Sequence, residues 1–228
     1  MNARPQSTLL PSWGSVLAVV AHPDDESFGL GAIIDSFIAT GARVSVLCLT
    51  HGEASSLHGV EGELRDLREG ELRDAAQVLG ITNVRLASYP DGALATIALE
   101  DLVGDVVAAA IACGAVGLIA FDISGVTGHP DHIRATEAAV AAGATSGLGV
   151  LGWTLPVEVA GRLAEEFGAP FVGHDNGEID IAVEVSRTLQ MRAVACHPSQ
   201  AVPGSVLWRR LELLGDLEHL RWMSSLRA

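Results

Sequence analysis

Short apolar runs rich in branched residues, separated by amphipathic stretches, are the feature that most limits what this chain can become. Val16–Val20 and Val44–Leu49 are continuous, apolar and too short for ordinary helices, so they read as strands buried on both faces. Val84–Ser88 and Val116–Phe121 extend the series, and Gly149–Leu155 offers a further strand ending at Pro156. Between them lie helical stretches over about Phe28–Thr40, Leu64–Leu79, Leu99–Cys113 and an Ala-rich segment running through Ala142. Leu64–Leu79 places Leu64, Leu67, Leu72, Ala75, Ala76 and Leu79 among charges and is stopped by Gly80. Strands alternating with helices imply an α/β fold with a mostly parallel sheet, right-handed crossovers and ligand sites outside the carboxyl ends of the strands.

The last third is less regular. Glu178–Val185 alternates and reads as a more exposed strand, Ser186–Ala195 as a helix and Leu207–Met223 as one amphipathic helix. Glu158–Gly177 has no readable pattern. The expected organisation is a single domain over 1–228, with a core at about 14–155 and a C-terminal appendage at about 156–228. The Leu-rich C-terminal helix offers a face to its own domain or to another subunit, which leaves a homo-oligomer open.

Composition narrows the partners. The net charge of −14 repels phosphate backbones, so a nucleic-acid partner is not expected. The run at Val16–Ala21 is too short to cross a bilayer and leads straight into charge, so neither a signal peptide nor a membrane partner is expected. Cys48, Cys113 and Cys196 are odd in number and widely spaced, without a C-x-x-C pair. Cys48 and Cys113 lie in apolar runs, where buried thiols are expected, and a reducing cytoplasm fits the usage. Neither G-x-G-x-x-G nor G-x-x-x-x-G-K-[ST] occurs, so nucleotide binding has little support.

Two clusters carry chemistry. Ala21-His22-Pro23-Asp24-Asp25-Glu26 follows the first strand, and His129-Pro130-Asp131-His132 follows the strand ending at Phe121 by way of a Gly125–Gly128 loop. Imidazole and carboxylate are ordinary zinc ligands, and a catalytic site needs three of them plus an open position. Proline is tolerated in a first helical turn, and residues three apart share a helix face. His22 and Asp25 can therefore converge while Asp24 points elsewhere, and His129 and His132 repeat the device. Singly, each cluster serves equally well as a helix cap. Together, at two strand ends, they point to a metal site. The metal stays open between zinc and iron, because two histidines and a carboxylate also describe non-haem iron oxygenases.

Other segments support the same reading: Thr50-His51-Gly52-Glu53, Arg68-Glu69-Gly70-Glu71-Leu72, Pro90-Asp91-Gly92 and His197-Pro198-Ser199-Gln200. With the two His-Pro-Asp clusters, the set resembles the LmbE-like, or PIG-L, family of N-acetylglucosaminyl deacetylases over residues 16–200. The resemblance implies a Rossmann-like fold and a mononuclear Zn2+ site (Fe2+ being the other candidate) held by His22, Asp25 and His132. It implies Asp24 as general base, His129 facing the tetrahedral intermediate and Asp131 orienting a histidine; a protonated His129 is the group expected to stabilise the oxyanion. Glu53, Arg68 and Asp91 would line the sugar site, and the substrate would be a small-molecule amino-sugar conjugate. Several family members carry Tyr two residues before the position of His129; here it is Thr127. Each supporting residue has a plainer role available: Glu53 as a cap, Arg68 in a helix-face ion pair, Asp91 in its turn, His197 at a helix end and His51 and His58 in loops. The competing functions are the same hydrolase on another amide, an iron oxygenase, and a non-catalytic metal- or sugar-binding module.

Overall fold

The computed structural model describes residues 6–57 and 64–223; His58 lies outside them. Among the described residues the elements run β1 (Ser15–Val20), α1 (Asp25–Phe28), α2 (Gly31–Ala39), β2 (Arg43–Thr50), α3 (Leu64–Leu79), β3 (Asn83–Tyr89), α4 (Leu99–Cys113) and β4 (Gly117–Phe121). They continue with α5 (Gly125–Gly128), α6 (Pro130–Ser146), β5 (Gly149–Thr154), α7 (Val157–Phe167), β6 (Ile181–Glu184), α8 (Thr188–Val194), α9 (Val206–Leu214) and β7 (Leu217–Trp222).

The strands form one sheet in the order β3-β2-β1-β4-β5-β7-β6. Strands β1 to β5 are parallel, whereas β7 runs antiparallel to both β5 and β6. The architecture is a Rossmann-like α/β fold. Strand alternation divides its core cleanly. Val16, Ala18 and Val20 of β1 face a layer with Ile33, Phe37 and Leu72, while Leu17 and Val19 face Leu102, Val106 and Ala138 across the sheet. Burial on both faces is why β1, β2 and β4 read as unbroken apolar runs.

Sheet order reverses between β1 and β4, where one crossover leaves toward β2 and the other toward β5. Diverging connections open a crevice at that point. The segment after β1 carries His22–Glu26, and the segment after β4 leads to His129–His132.

Four expectations change. The stretch over Phe28–Thr40 is two helices, α1 and α2, separated at Gly29-Leu30. A Cβ on Gly29 would lie 2.5 Å from the Phe121 ring, so the chain turns where it presses on β4. Gly125–Gly128, expected as a loop, is a helical turn holding Val126 at a φ of 63°. Leu207–Met223 is a helix followed by a strand: Gly215 adopts φ 54° and ψ −130° and turns the chain into β7. Val157–Phe167, in the stretch without a readable pattern, forms the helix α7, with Ala160 and Leu163 as its buried side.

Candidate metal centre and active site

The turn after β1 is built around an unusual residue. Asp24 has a φ of 126°, a region that L side chains rarely occupy. Local bonds hold it there. Its N–H donates to Glu26 Oε2 at 2.9 Å, and its carbonyl accepts from the amides of Ser27 and Phe28 at 3.0 and 2.6 Å. Glu26 is wholly buried and pairs with His197 Nε2 at 2.8 Å and with the Ser27 hydroxyl at 2.6 Å. Strained backbone of this kind costs about 1–3 kcal/mol and persists only where its surroundings over-determine it.

Arg68, buried on α3, completes the clamp. It donates to Gly52 O at 2.6 Å, to Pro23 O and to Asp24 Oδ2 at 3.0 Å. Gly52 is required for this: its φ is 65°, and a Cβ there would lie 1.9 Å from Arg68 Nη1.

Asp25 points the other way. Its Oδ2 accepts from the amides of Ala21 and His22, and its Oδ1 lies 3.2 Å from His132 Nε2. His22 Nδ1 lies 3.2 Å from His132 Nε2 and 3.7 Å from Asp25 Oδ2. Three donor groups from two loops thus meet at one point. The second nitrogen of His22 faces two further carboxylates, Asp91 Oδ1 at 3.0 Å and Asp131 Oδ2 at 3.4 Å. Asp131 is wholly buried at the start of α6 and also accepts from the amides of Gly92 and Leu94 at 2.7 and 3.0 Å, fixing the Pro90-Asp91-Gly92 turn against α6. A ligating imidazole whose other nitrogen is held by a carboxylate is the usual support of a protein metal site.

His129 is the N-cap of α6, and its Nδ1 accepts the Asp131 amide at 3.2 Å. The same ring stands edge-on to His22, with centroids 4.9 Å apart. Capping and site roles, alternatives at the level of sequence, coexist in this residue.

The electrostatics follow from the crowd of carboxylates. Burial opposes charge on His22, but Asp131, Asp91 and Asp25 outweigh it and lift its pKa to about 10. Burial would also raise Asp25, yet His132 and His22 hold it well below the usual carboxylate range. Burial raises Asp24 to about 6 against the opposing charge of Arg68. Burial, with His22 and His132 nearby, lowers His129. With Asp25, Asp91 and Asp131 all within 3.7 Å of His22, the cluster is rich in carboxylates, and its donor set suits a divalent cation. His22, His129 and His132 also bring ring nitrogens within 4.8 Å of one another, as His22, Asp91 and Asp131 do their ligand atoms.

These groups open into a cavity of about 470 Å³. His22, Asp24, Asp25, Arg68, Asp91, His129 and His132 line it. Asp131 and Glu53 stand behind the wall. Glu53 is exposed, and its Oε1 accepts the Asp91 amide at 3.2 Å. Thr127 lines the cavity at the position where several family members carry Tyr. His51 is buried beside Arg65, whose Nη2 lies 2.9 Å from its Nε2. The rest of the lining includes residues outside the sequence motifs: Phe28, Phe121, Trp153, Leu207 and Arg210. One signal for it does stand in the sequence. Arg210 falls on the apolar stripe Leu207, Leu211, Leu214, an odd place for a charge unless something requires it.

A Rossmann-like sheet with a cluster of histidines and aspartates able to hold a metal ion at its switch point defines a class of candidate metal-dependent enzymes. Residues 17–143 match the model of the PIG-L family, described as GlcNAc-PI de-N-acetylase, and the chain belongs to that family. Among curated relatives, a 1D-myo-inositol 2-acetamido-2-deoxy-alpha-D-glucopyranoside deacetylase of Mycolicibacterium vanbaalenii is 30% identical over 81% of this chain and 80% of its own length. The chain spans 49–60% of the length of several other relatives of that description. Among solved structures, the A40926 pseudoaglycone deacetylase Dbv21 superposes with a TM-score of 0.72 at 19% identity, over 94% of this chain and 99% of that one. The 4-carboxy-2-hydroxymuconate hydratase GalB of Pseudomonas putida KT2440 superposes with 0.71 at 17% identity, over 94% and 97%. At such identities the likeness is one of fold, and the fold serves more than one reaction. Among the described residues, no helix is long and apolar enough to cross a membrane.

Proposed function

We propose that this chain is a zinc-dependent hydrolase that removes the N-acetyl group from an N-acetylglucosamine-type amino-sugar conjugate. The observation that carries this reading is the meeting of His22, Asp25 and His132 within 3.2–3.7 Å, beside an Asp24 held apart by Arg68. His22, Asp25 and His132 would hold the ion. When bound, it would supply a water of near-neutral pKa and polarise the acetyl carbonyl.

Everything else falls to the chain. Asp24 has Oδ2 on Arg68, which leaves Oδ1 for the cavity, where it takes a proton from the attacking water. The C–O bond forms as the carbonyl π pair moves onto oxygen. His129 faces that oxygen as a neutral imidazole and not as the protonated group expected from the sequence: its Nδ1 accepts as the helix cap, so its proton sits on Nε2 and donates from there. Asp24 then returns its proton to the nitrogen, the C–N bond breaks, and acetate and the free amine leave. Asp131 keeps His22 oriented.

The test is acetate release from N-acetylglucosamine conjugates by the zinc-loaded protein and its Asp24→Ala variant. Zinc-dependent release lost in the variant supports the reading. Stoichiometric zinc with no release from any conjugate sinks it. Hydration of an unsaturated carboxylate is the reaction to try next, given the fold shared with GalB.

A further inference from the structure

Beyond the metal-type cluster, the cavity wall holds a cation that hydrogen-bonds no carboxylate, although Glu218, Asp25 and Asp24 act on it through space. Arg210 on α9 is only 8% exposed, and its Nε is buried with no hydrogen-bond partner. Its guanidinium lies over the Trp153 ring, 4.9 Å from the centroid, and donates to the Phe28 carbonyl through Nη2. The nearby carboxylate, Glu218, is already engaged: Oε1 accepts from Arg187 at 2.6 Å and Oε2 from Trp153 Nε1 at 2.7 Å. A guanidinium taken out of water usually brings its anion with it, because an unpaired buried charge is expensive.

A second unpartnered group shares the wall. Ser205 is the N-cap of the nine-residue helix α9, yet its hydroxyl makes no capping bond and is buried without a partner. Ser205, Val206, Leu207 and Arg210 line the same cavity as the metal-type residues. The first amides of α9 have no partner within their helix, and that end carries partial positive charge. Rings bridge the two ends of the cavity: His132 to Phe121 at 4.8 Å, then Phe121 to Trp153 at 5.0 Å.

We propose that the arm of the cavity between Arg210, Ser205 and Trp153 is an anion subsite, taking a carboxylate or phosphate carried by the substrate away from its reacting amide. This rests on the amino-sugar reading above and adds that the conjugate is acidic. The subsite works against the protein's overall field, since a chain of net charge −14 repels anions in bulk. A cation walled by apolar rings attracts an anion at short range more strongly than a solvated one does. The anion would also set polarity, because it is held at Arg210 on α9 while the reacting amide lies at the metal-type residues. The substrate then enters one way round.

Three probes test this on the zinc-loaded protein: neutral N-acetylglucosamine, N-acetylglucosamine 1-phosphate and N-acetylmuramic acid, whose anion is a carboxylate. The expected result is a kcat/KM for one anionic sugar at least about tenfold above the neutral one, the size a charge-assisted hydrogen bond implies. Which sugar is favoured tells phosphate from carboxylate. That ratio should collapse in Arg210→Gln and survive in part in Arg210→Lys. Release from the neutral sugar with no anionic preference overturns the subsite and leaves the deacetylase reading intact. Should no sugar release acetate, calorimetric binding of glucosamine 1-phosphate and muramic acid decides: binding that Arg210→Gln abolishes supports the subsite while the deacetylase reading falls, and no binding by the unmodified chain overturns the subsite. If Arg210→Gln does not fold, the anionic-to-neutral ratio of the unmodified chain decides by itself.

Discussion

The two walls of the cavity are built by opposite strategies. The wall at β1 and β4 pairs its charged groups with one another, Asp25 with His132, His22 with Asp131, Asp24 with Arg68 and Glu26 with His197, although Arg68 Nε and His197 Nδ1 make no hydrogen bond. The wall at α9 and Trp153 bonds its cation, Arg210, to a backbone carbonyl and to no carboxylate, and leaves the Ser205 hydroxyl without a partner. The first wall is pre-organised whether or not a ligand is present. The second, as the proposed anion subsite, would be completed by what it binds. A reaction centre needs fixed geometry and a recognition surface needs unfilled valence, so the contrast is what a division between chemistry and selection would produce.

The sharpest way to break the division is to strike the first wall at its centre. His132→Ala removes a donor that lies within 3.2 Å of both His22 and Asp25. Zinc should no longer be retained through dialysis, and turnover should be lost with it. Full activity and one bound zinc in this variant would mean that the ion sits elsewhere, with His22, Asp91 and Asp131 the next set to test.

Asp24→Asn should come next in size. The amide is isosteric and keeps an acceptor for Arg68, but it cannot take a proton. A drop in kcat of about 10²–10⁴ is expected, with zinc still bound. Asp131→Asn acts one step further out, through the orientation of His22. It should weaken zinc by roughly 10–100-fold and leave the turnover of fully loaded protein much closer to normal, as read by zinc titration beside activity.

How far these positions can be read from sequence differs between the two walls for the same reason. His22 and Asp25 lie in the turn directly after β1 and His132 in the first turn of α6, which follows β4 by way of α5, so short segments and strand order are enough to bring them together. The parallel sheet is legible too, because burial on both faces leaves continuous apolar runs. The C-terminal third is not. Leu217–Trp222 has apolar residues that suit either a helix face or an antiparallel strand, and Gly215 alone marks the break. α7 carries Gly161 in its interior and exposes Val157 and Phe167, so its apolar pattern is blurred. Arg210 and Trp153 meet only after α9 has folded back over β5, a long-range event with no local signature. Nor does spacing reveal that Glu26 and His197, far apart in the chain, hold the Asp24 turn.

Trp153→Phe probes the second wall with a smaller effect. It deletes the buried hydrogen bond to Glu218 and should cost about 1–3 kcal/mol of stability, measured by denaturant unfolding. Because Trp153 faces the cavity away from Asp24, KM should change more than kcat. A fall in kcat at constant KM would place Trp153 with the reacting groups and erase the distinction between the walls.

Glu53 gives the finest test, since two roles make different predictions for one residue. The family resemblance would have its carboxylate meet the sugar. In the structure it is exposed, does not line the cavity and accepts the Asp91 amide at 3.2 Å. Gln retains an acceptor for that amide, and an exposed hydrogen bond contributes about 1 kcal/mol, so a positioning role predicts that Glu53→Gln changes kcat/KM by less than about tenfold. A carboxylate that accepts from a sugar hydroxyl would be missed far more, and chiefly in KM. A large rise in KM with unaltered zinc affinity would bring Glu53 round to the substrate and show that the loop carrying it moves when the cavity fills. A small effect would leave Glu53 as the brace of the Asp91 turn, and through Asp91 of the outer nitrogen of His22.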